Sequence, residues 1–237
     1  VMVDERAEKR MEKLTGRTQM EQIAVRIADG VTAILPFMKQ NIDASPVFKH
    51  RIEQVELNRR VITEKDLTTR RSTFHNKKVE SVQESFDRLL GEYKSLYKQF
   101  EEHPELKSKP HWFVSITATH WLLARAWRTL QRYELQKTVS TLPVKVHAIR
   151  IGDMAIATNP FELYLDYGMQ IKARSKAVQT FVVELASPGG GGYLPTQRSV
   201  EGGAYGAIPQ STLIGPDGGR VLVNRTLELI ESLWEED

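Results

Sequence analysis

The chain has 237 residues, 41% of them hydrophobic and 27% charged, a composition that suits one large or two small globular domains. Its 33 basic and 30 acidic residues leave a net charge of +3, mixed along the sequence, which argues against a nucleic-acid surface despite a pI of about 9.0. The absence of cysteine excludes disulfides and thiolate metal sites, and no apolar run is long enough to span a membrane.

Val1-Met2-Val3-Asp4 leads straight into a charged helical pattern. The sequence therefore reads as part of a longer protein, and the lack of a signal peptide says nothing about destination. From Asp4 to about Asn41, apolar residues such as Met11, Leu14, Ile23, Ile27, Val31 and Ile34 recur at mostly helical steps. Gly16 is placed to break the run, with a new helix from Thr18; Gly30 is a second candidate break, and Pro36 is expected to end or kink it. Val47 to Ile62 alternates imperfectly between apolar and charged residues, which predicts a strand with one wet face. The basic stretch Lys65 to Lys78 reads as a solvated loop or a helix start. Lys77 to Glu102 carries a broad apolar stripe and predicts a helix that stops at His103-Pro104. Trp112 to Leu135 predicts another, with Trp112, Ile116, His120, Leu123, Trp127 and Leu130 close to one face.

Val144 to Ile151 reads as a strand, Gly152-Asp153 as a turn and Met154 to Thr158 as the returning strand of a tight hairpin. A helix is expected from Asn159 to about Arg174 and a strand from Thr180 to Leu185. Ser187 to Gly219 is loop-rich, and long loops in compact domains tend to carry function. Asn224 to Trp234 predicts a short closing helix. There is no internal repeat, and no linker long enough to divide the chain into independent domains. The expected fold class is α/β, a mixed sheet flanked by long helices.

Chemistry concentrates between Asn159 and Tyr205. Asn159-Pro160-Phe161-Glu162 fits a capping box, with Asn159 as N-cap, Pro160 in the first turn and Glu162 reaching back to the Asn159 backbone. The competing reading places Glu162 just past a strand's carboxyl end, where α/β proteins put ligands, as a metal ligand or base. The run Gly189 to Gly192 is no nucleotide-binding fingerprint, because neither a lysine-serine pair nor a GxGxxG follows. It reads instead as backbone that bends sharply or passes close to something. Tyr193 and Tyr205 stand behind glycines, and on spacing alone each reads as a packing and hydrogen-bonding residue before a catalytic one. The histidines at 50, 75, 103, 111, 120 and 147 show no metal-binding spacing. His120 and His147 read as structural, His120 as a packed core residue. Asp166, one helical turn from Glu162, reads as solvated or capping, and no GxSxG elbow is present.

The segments RIGDMAIATNP, FELYLDYGMQIKARS, TFVVELA, GYLPT, EGGAYGA and IGPDGGRVLV together resemble the C-terminal part of the catalytic domain of neutral/alkaline, non-lysosomal ceramidases, especially the shorter bacterial relatives. The likeness is best from Val144 to Trp234. It implies that the whole chain is the C-terminal portion of such a domain, an incomplete half of a larger one: 1–140 mainly helical with one extended segment, 141–237 a strand-helix-strand region with active-site loops. It further implies a zinc amidase cleaving the N-acyl bond of ceramide or a related lipid amide, with Zn2+ held by two histidines from the N-terminal half of the same protein and by Glu162 and Tyr193. Tyr205 falls on a second active-site tyrosine, suited to stabilise an oxyanion. Periplasmic or secreted residence is common in the family. Pro160-Phe161-Glu162 stands where the family has Pro-Gly-Glu, and the glycine run replaces an asparagine-rich approach to the tyrosine. The rival expectations are a related hydrolase acting on another amide or ester, and a non-catalytic module in which Glu162 caps a helix and the tyrosines pack.

Overall fold

A computed structural model describes residues 5–40, 42–72, 77–186 and 191–235, with the backbone alone at 69–72 and 77–79. It forms two compact units, Val1–Pro46 and Val47–Asp237. In the first, α1 (Glu5–Thr15) ends at Gly16, whose φ of 68° closes the turn. Thr18 then starts α2 (Gln19–Met38) with a complete capping box: the Glu21 N–H donates to the Thr18 hydroxyl, and the Thr18 N–H donates to the Glu21 carboxylate at 2.8 Å. The helix restarts at Thr18 as expected. Gly30 does not interrupt it, and Pro36 lies inside its last turns without ending it, because the cap at Lys39 still donates to the Leu35 carbonyl.

The second unit is mixed α/β. Its elements in chain order are β1 (Phe48–Asn58), β2 (Thr68–Ser72), β3 (Lys77–Ser81), α3 (Val82–Glu102), α4 (Val114–Leu135), β4 (Thr141–Ile151), β5 (Met154–Thr158), β6 (Glu162–Leu163), α5 (Leu165–Arg174), β7 (Gln179–Val183), β8 (Tyr193–Leu194), α6 (Gln197–Glu201) and α7 (Pro216–Glu231). The main sheet runs β1-β4-β5-β7; β4 is antiparallel to both of its neighbours, β1 and β5, and β7 is parallel to β5. Gly152, at φ 58°, makes the tight β4–β5 turn that the Gly-Asp pair predicts. The helix α5 carries the chain from β5 to β7, the crossover a parallel pair requires.

Side chains alternate across this sheet. Val55, Leu57, Val144, Val146, Ala148, Ala155 and Ala157 form the buried face, covered by Tyr167 and Ile171 of α5 and by Leu222, Val223 and Ile230 of α7. The opposite face carries Ile52, Met154, Phe181 and Val183, all exposed. The small residues on β5 let the helices approach closely. The two longest helices of this unit, α3 and α4, pack against each other, with Phe100 and Trp112 rings edge to face at 5.3 Å.

Three expectations are corrected. The basic stretch from Lys65 opens in a short 3-10 helix (Glu64–Leu67), but beyond it the described residues pair as the antiparallel strands β2 and β3 and are not a solvated loop; 73–76 lie outside the described residues. Pairing consumes Lys77–Ser81 as strand, so α3 starts only at Val82, capped by Ser81 and Glu84. The closing helix α7 starts at Pro216, well before Asn224. The expected helix start at Asn159 is likewise wrong, with consequences for the site.

Candidate functional site

The segment after β5 does not coil. Asn159, 3% exposed, turns its side-chain oxygen onto the Phe161 N–H at 3.0 Å, a local turn that competes with helix initiation. Its own N–H donates to the Val183 carbonyl and its carbonyl accepts from Ala186, so 159–161 continues alongside the end of β7. Phe161 is fully buried and anchors the segment. Helix α5 starts only at Leu165, with Tyr164 as N-cap. The capping-box reading of Glu162 is therefore overturned: Glu162 lies in β6, just beyond the carboxyl end of β5, and caps nothing.

Strand β6 pairs in parallel with β8, with Glu162 directly beside Tyr193 and Leu163 beside Leu194. Neighbours in a parallel pair project their side chains to the same side. The Tyr193 phenol lies beside the Glu162 carboxylate, whose hydrogen-bonding capacity and then charge hold the phenol's pKa above its ordinary value. Tyr205 follows a short helix and a glycine turn, and its ring meets that of Tyr193 edge to face at 5.9 Å. On the other side Tyr164 meets Tyr193 at 6.5 Å.

Glycine makes this packing possible. A Cβ on Gly206 would lie 2.9 Å from Tyr193 Cγ and 2.9 Å from the Tyr164 hydroxyl. Gly192 has φ +74°, and a Cβ there would stand 2.2 Å from the Ser211 carbonyl oxygen. Its own carbonyl accepts the Glu162 N–H at 3.2 Å. The expectation that the glycine run bends or passes close to something thus holds at Gly192; Gly189 and Gly190 lie outside the described residues.

Glu162, Tyr193 and Tyr205 all line one cavity of about 620 Å³. Its facing wall comes from α4, where Trp121, Arg125, Arg128 and Arg132 stand at helical steps on one face. The Arg125 guanidinium lies over the Trp121 ring at 4.5 Å and over the Tyr205 ring at 5.8 Å. Arg132 points inward and donates to the carbonyls of Pro209, at 2.6 Å, and Thr212. Arg60 donates to the Ala207 carbonyl and, at 2.7 Å, to the Thr212 hydroxyl. The two guanidinium groups thereby pin the segment that follows Tyr205. Burial, with the neighbouring cations Arg60 and Arg59 adding to it, pulls the Arg132 pKa down to about 10. Sequence reading missed this wall. Its signal was present in the spacing of the arginines behind Trp121, but the tryptophans drew attention to the other face of the helix.

The remaining candidates lie elsewhere. Asp166 pairs with Arg198 at 3.6 Å and does not line the cavity. His120 is exposed and leans on Tyr93 at 5.6 Å, so it is no core residue. His147 stacks on His50 across the β1–β4 pair at 5.4 Å and does not line the cavity. No described histidine lines the cavity, and among the described residues no group of three or more His, Asp or Glu converges as a metal site. A carboxylate is an oxygen donor that a zinc ion accepts, and the phenol beside it offers a second oxygen, so these residues fit part of a coordination shell. No described helix is long and apolar enough to cross a membrane.

No protein-family model matches the chain, and no curated protein or solved structure is detectably similar to it.

Proposed function

We propose that the cavity is the C-terminal half of the active site of a zinc-dependent amide hydrolase of the neutral ceramidase type, one that cleaves the N-acyl bond of a lipid amide. One observation carries the reading. Glu162, Tyr193 and Tyr205, picked out from separate stretches by the resemblance, line a single cavity, and the first two are direct neighbours in a parallel strand pair. A helix cap and two packing tyrosines, as a non-catalytic module would have, do not require that meeting.

In this reading Glu162 and Tyr193 hold zinc together with two histidines from the N-terminal half of the same protein, and the protein resides in the periplasm or outside the cell. When bound, the ion supplies Lewis acidity for attack on the amide carbonyl. The chain's own residues do the rest. Glu162 is fixed by the β6–β8 pair, so its carboxylate does not have to be ordered at the moment of reaction. Tyr205 lines the cavity, and in this reading its hydroxyl donates a hydrogen bond to the oxygen on which negative charge develops. Arg60 and Arg132, through the carbonyls at 207, 209 and 212, position the backbone behind Tyr205.

The test is hydrolysis of a panel of N-acyl lipid amides and matched esters by the full-length protein, with and without chelator. Chelator and Glu162→Ala each abolish the activity, and Tyr205→Phe lowers kcat by about a hundredfold or more, the usual cost of an oxyanion donor. Undiminished hydrolysis by Glu162→Ala refutes the assignment. Turnover of esters alone moves it to the related-hydrolase reading.

A further inference from the structure

The α4 wall of the cavity holds more positive charge than the site's acid accounts for. Arg132 is committed to backbone carbonyls, but Arg125 and Arg128 make no side-chain hydrogen bond or ion pair among the described residues, and both line the cavity that contains Glu162. Stacking on Trp121 and Tyr205 engages the faces of the Arg125 guanidinium and leaves its N–H edges available. Arg60 and Arg132 add charge from behind, with no carboxylate within ion-pair distance among the described residues. An electropositive wall of this kind attracts an oxyanion and repels a cation. Toward the start of the same helix, Phe113 at its N-cap forms with Val114, Trp121 and Leu122 an exposed apolar strip that shares Trp121 with the cavity.

We infer that the ligand of this cavity is an amphipathic amide that carries an oxyanion group, a carboxylate or sulfonate, held by Arg125 and Arg128 while its acyl chain lies along the strip from Trp121 to Val114. The inference rests on the reading of the cavity as an acyl-amide site and narrows its substrate class: a neutral ceramide leaves both guanidinium groups without a partner, whereas an N-acyl amino acid satisfies them. Guanidinium suits this role because its paired N–H groups match the two oxygens of such an anion.

The experiment is calorimetric binding to the full-length protein in the presence of chelator, so that no turnover occurs. The probes are N-dodecanoylglycine, N-dodecanoyltaurine and the neutral N-dodecanoylethanolamine. Both anionic probes bind at least about tenfold tighter than the neutral one, the equivalent of one charge-assisted contact, and the preference weakens as salt is raised. The double variant Arg125→Gln, Arg128→Gln removes the preference and leaves binding of the neutral probe nearly unchanged. The single variant Arg128→Gln, at an exposed position, keeps the test valid if the double variant misfolds, and lowers the preference on its own. Leu122→Glu weakens the neutral probe as much as or more than the anionic ones. Equal affinity for all three probes, or a preference that survives the double variant, overturns the oxyanion site; full affinity in Leu122→Glu overturns the placement of the chain. Because hydrolysis plays no part, an anion preference that persists while Glu162→Ala remains active sinks the hydrolase reading alone, and a lost preference with metal-dependent hydrolysis intact sinks only this one.

Discussion

Gly192 is the hinge on which the Glu162–Tyr193 pairing depends, and replacing it with alanine measures how tightly the site is built. Its φ of +74° is left-handed, which costs an L residue about 1 kcal/mol. The added Cβ would also stand 2.2 Å from the Ser211 carbonyl oxygen, which is backbone and cannot swing aside. Relief requires the 211–212 strand of chain to retreat, which breaks the Gly192–Thr212 bridge and forfeits hydrogen bonds worth about 1 kcal/mol each. Gly192→Ala therefore loses about 2–4 kcal/mol in all. Gly203 supplies the control: its φ is +66°, but nothing lies within 4 Å of an added Cβ, so Gly203→Ala loses only about 1 kcal/mol. Urea unfolding of both variants, followed by tryptophan fluorescence, reads the difference as a shift in midpoint at constant slope. Amide hydrogen exchange at Glu162, whose N–H donates to Gly192, accelerates in Gly192→Ala and not in Gly203→Ala. Equal losses in the two variants, with unchanged exchange at Glu162, refute the reasoning, because the Ser211 contact would then carry no energy.

Other positions test the frame. Tyr167 donates from the core to the Pro195 carbonyl at 2.9 Å, and burial, aided by Asp166 and Asp217, pushes its pKa up to about 12. The unfolded phenol ionises near pH 10, so this contribution is complete below about pH 10 and is lost as pH rises through about 12. Stability falls across that window, and Tyr167→Phe flattens the fall in alkaline denaturation curves; an unchanged slope contradicts it. Ser81 caps α3 by accepting the Glu84 N–H at 3.1 Å, and Ser81→Ala lowers the unfolding free energy by about 1 kcal/mol, measured by thermal or urea denaturation.

The sequence made the sheet legible where local chemistry and tertiary structure agree. The β4–β5 hairpin follows from Gly152-Asp153 between alternating strands, and the restart of α2 follows from Thr18 and Glu21. It misled where tertiary packing overrides a local signal. Pro216-Asp217-Gly218-Gly219 reads as loop punctuation, but these glycines sit inside α7 because a Cβ would lie 2.1 Å from Ile214 Cγ2 at Gly218 and 2.3 Å from Tyr167 Cζ at Gly219. They are the close-approach surface of a helix packed on the core. Asn159-Pro160-Phe161-Glu162 carries every mark of a helix start, yet Asn159 spends its side chain on Phe161 and the backbone joins β7. Spacing alone did not bring Glu162 to Tyr193; only the family likeness named them together, since their meeting depends on a parallel pair of two-residue strands, β6 and β8, far too short to show periodicity. The arginine face of α4 was readable in principle from Arg125, Arg128 and Arg132, but which side of a helix faces a cavity is set by its neighbours and not by its own sequence.

Zinc K-edge absorption of the full-length protein probes the central pairing most directly. The account predicts a bound zinc in a mixed oxygen and nitrogen shell, an oxygen ligand lost from that shell in Tyr193→Phe, and zinc content sharply reduced in Glu162→Ala. A shell and a zinc content identical to wild type in both variants would contradict it.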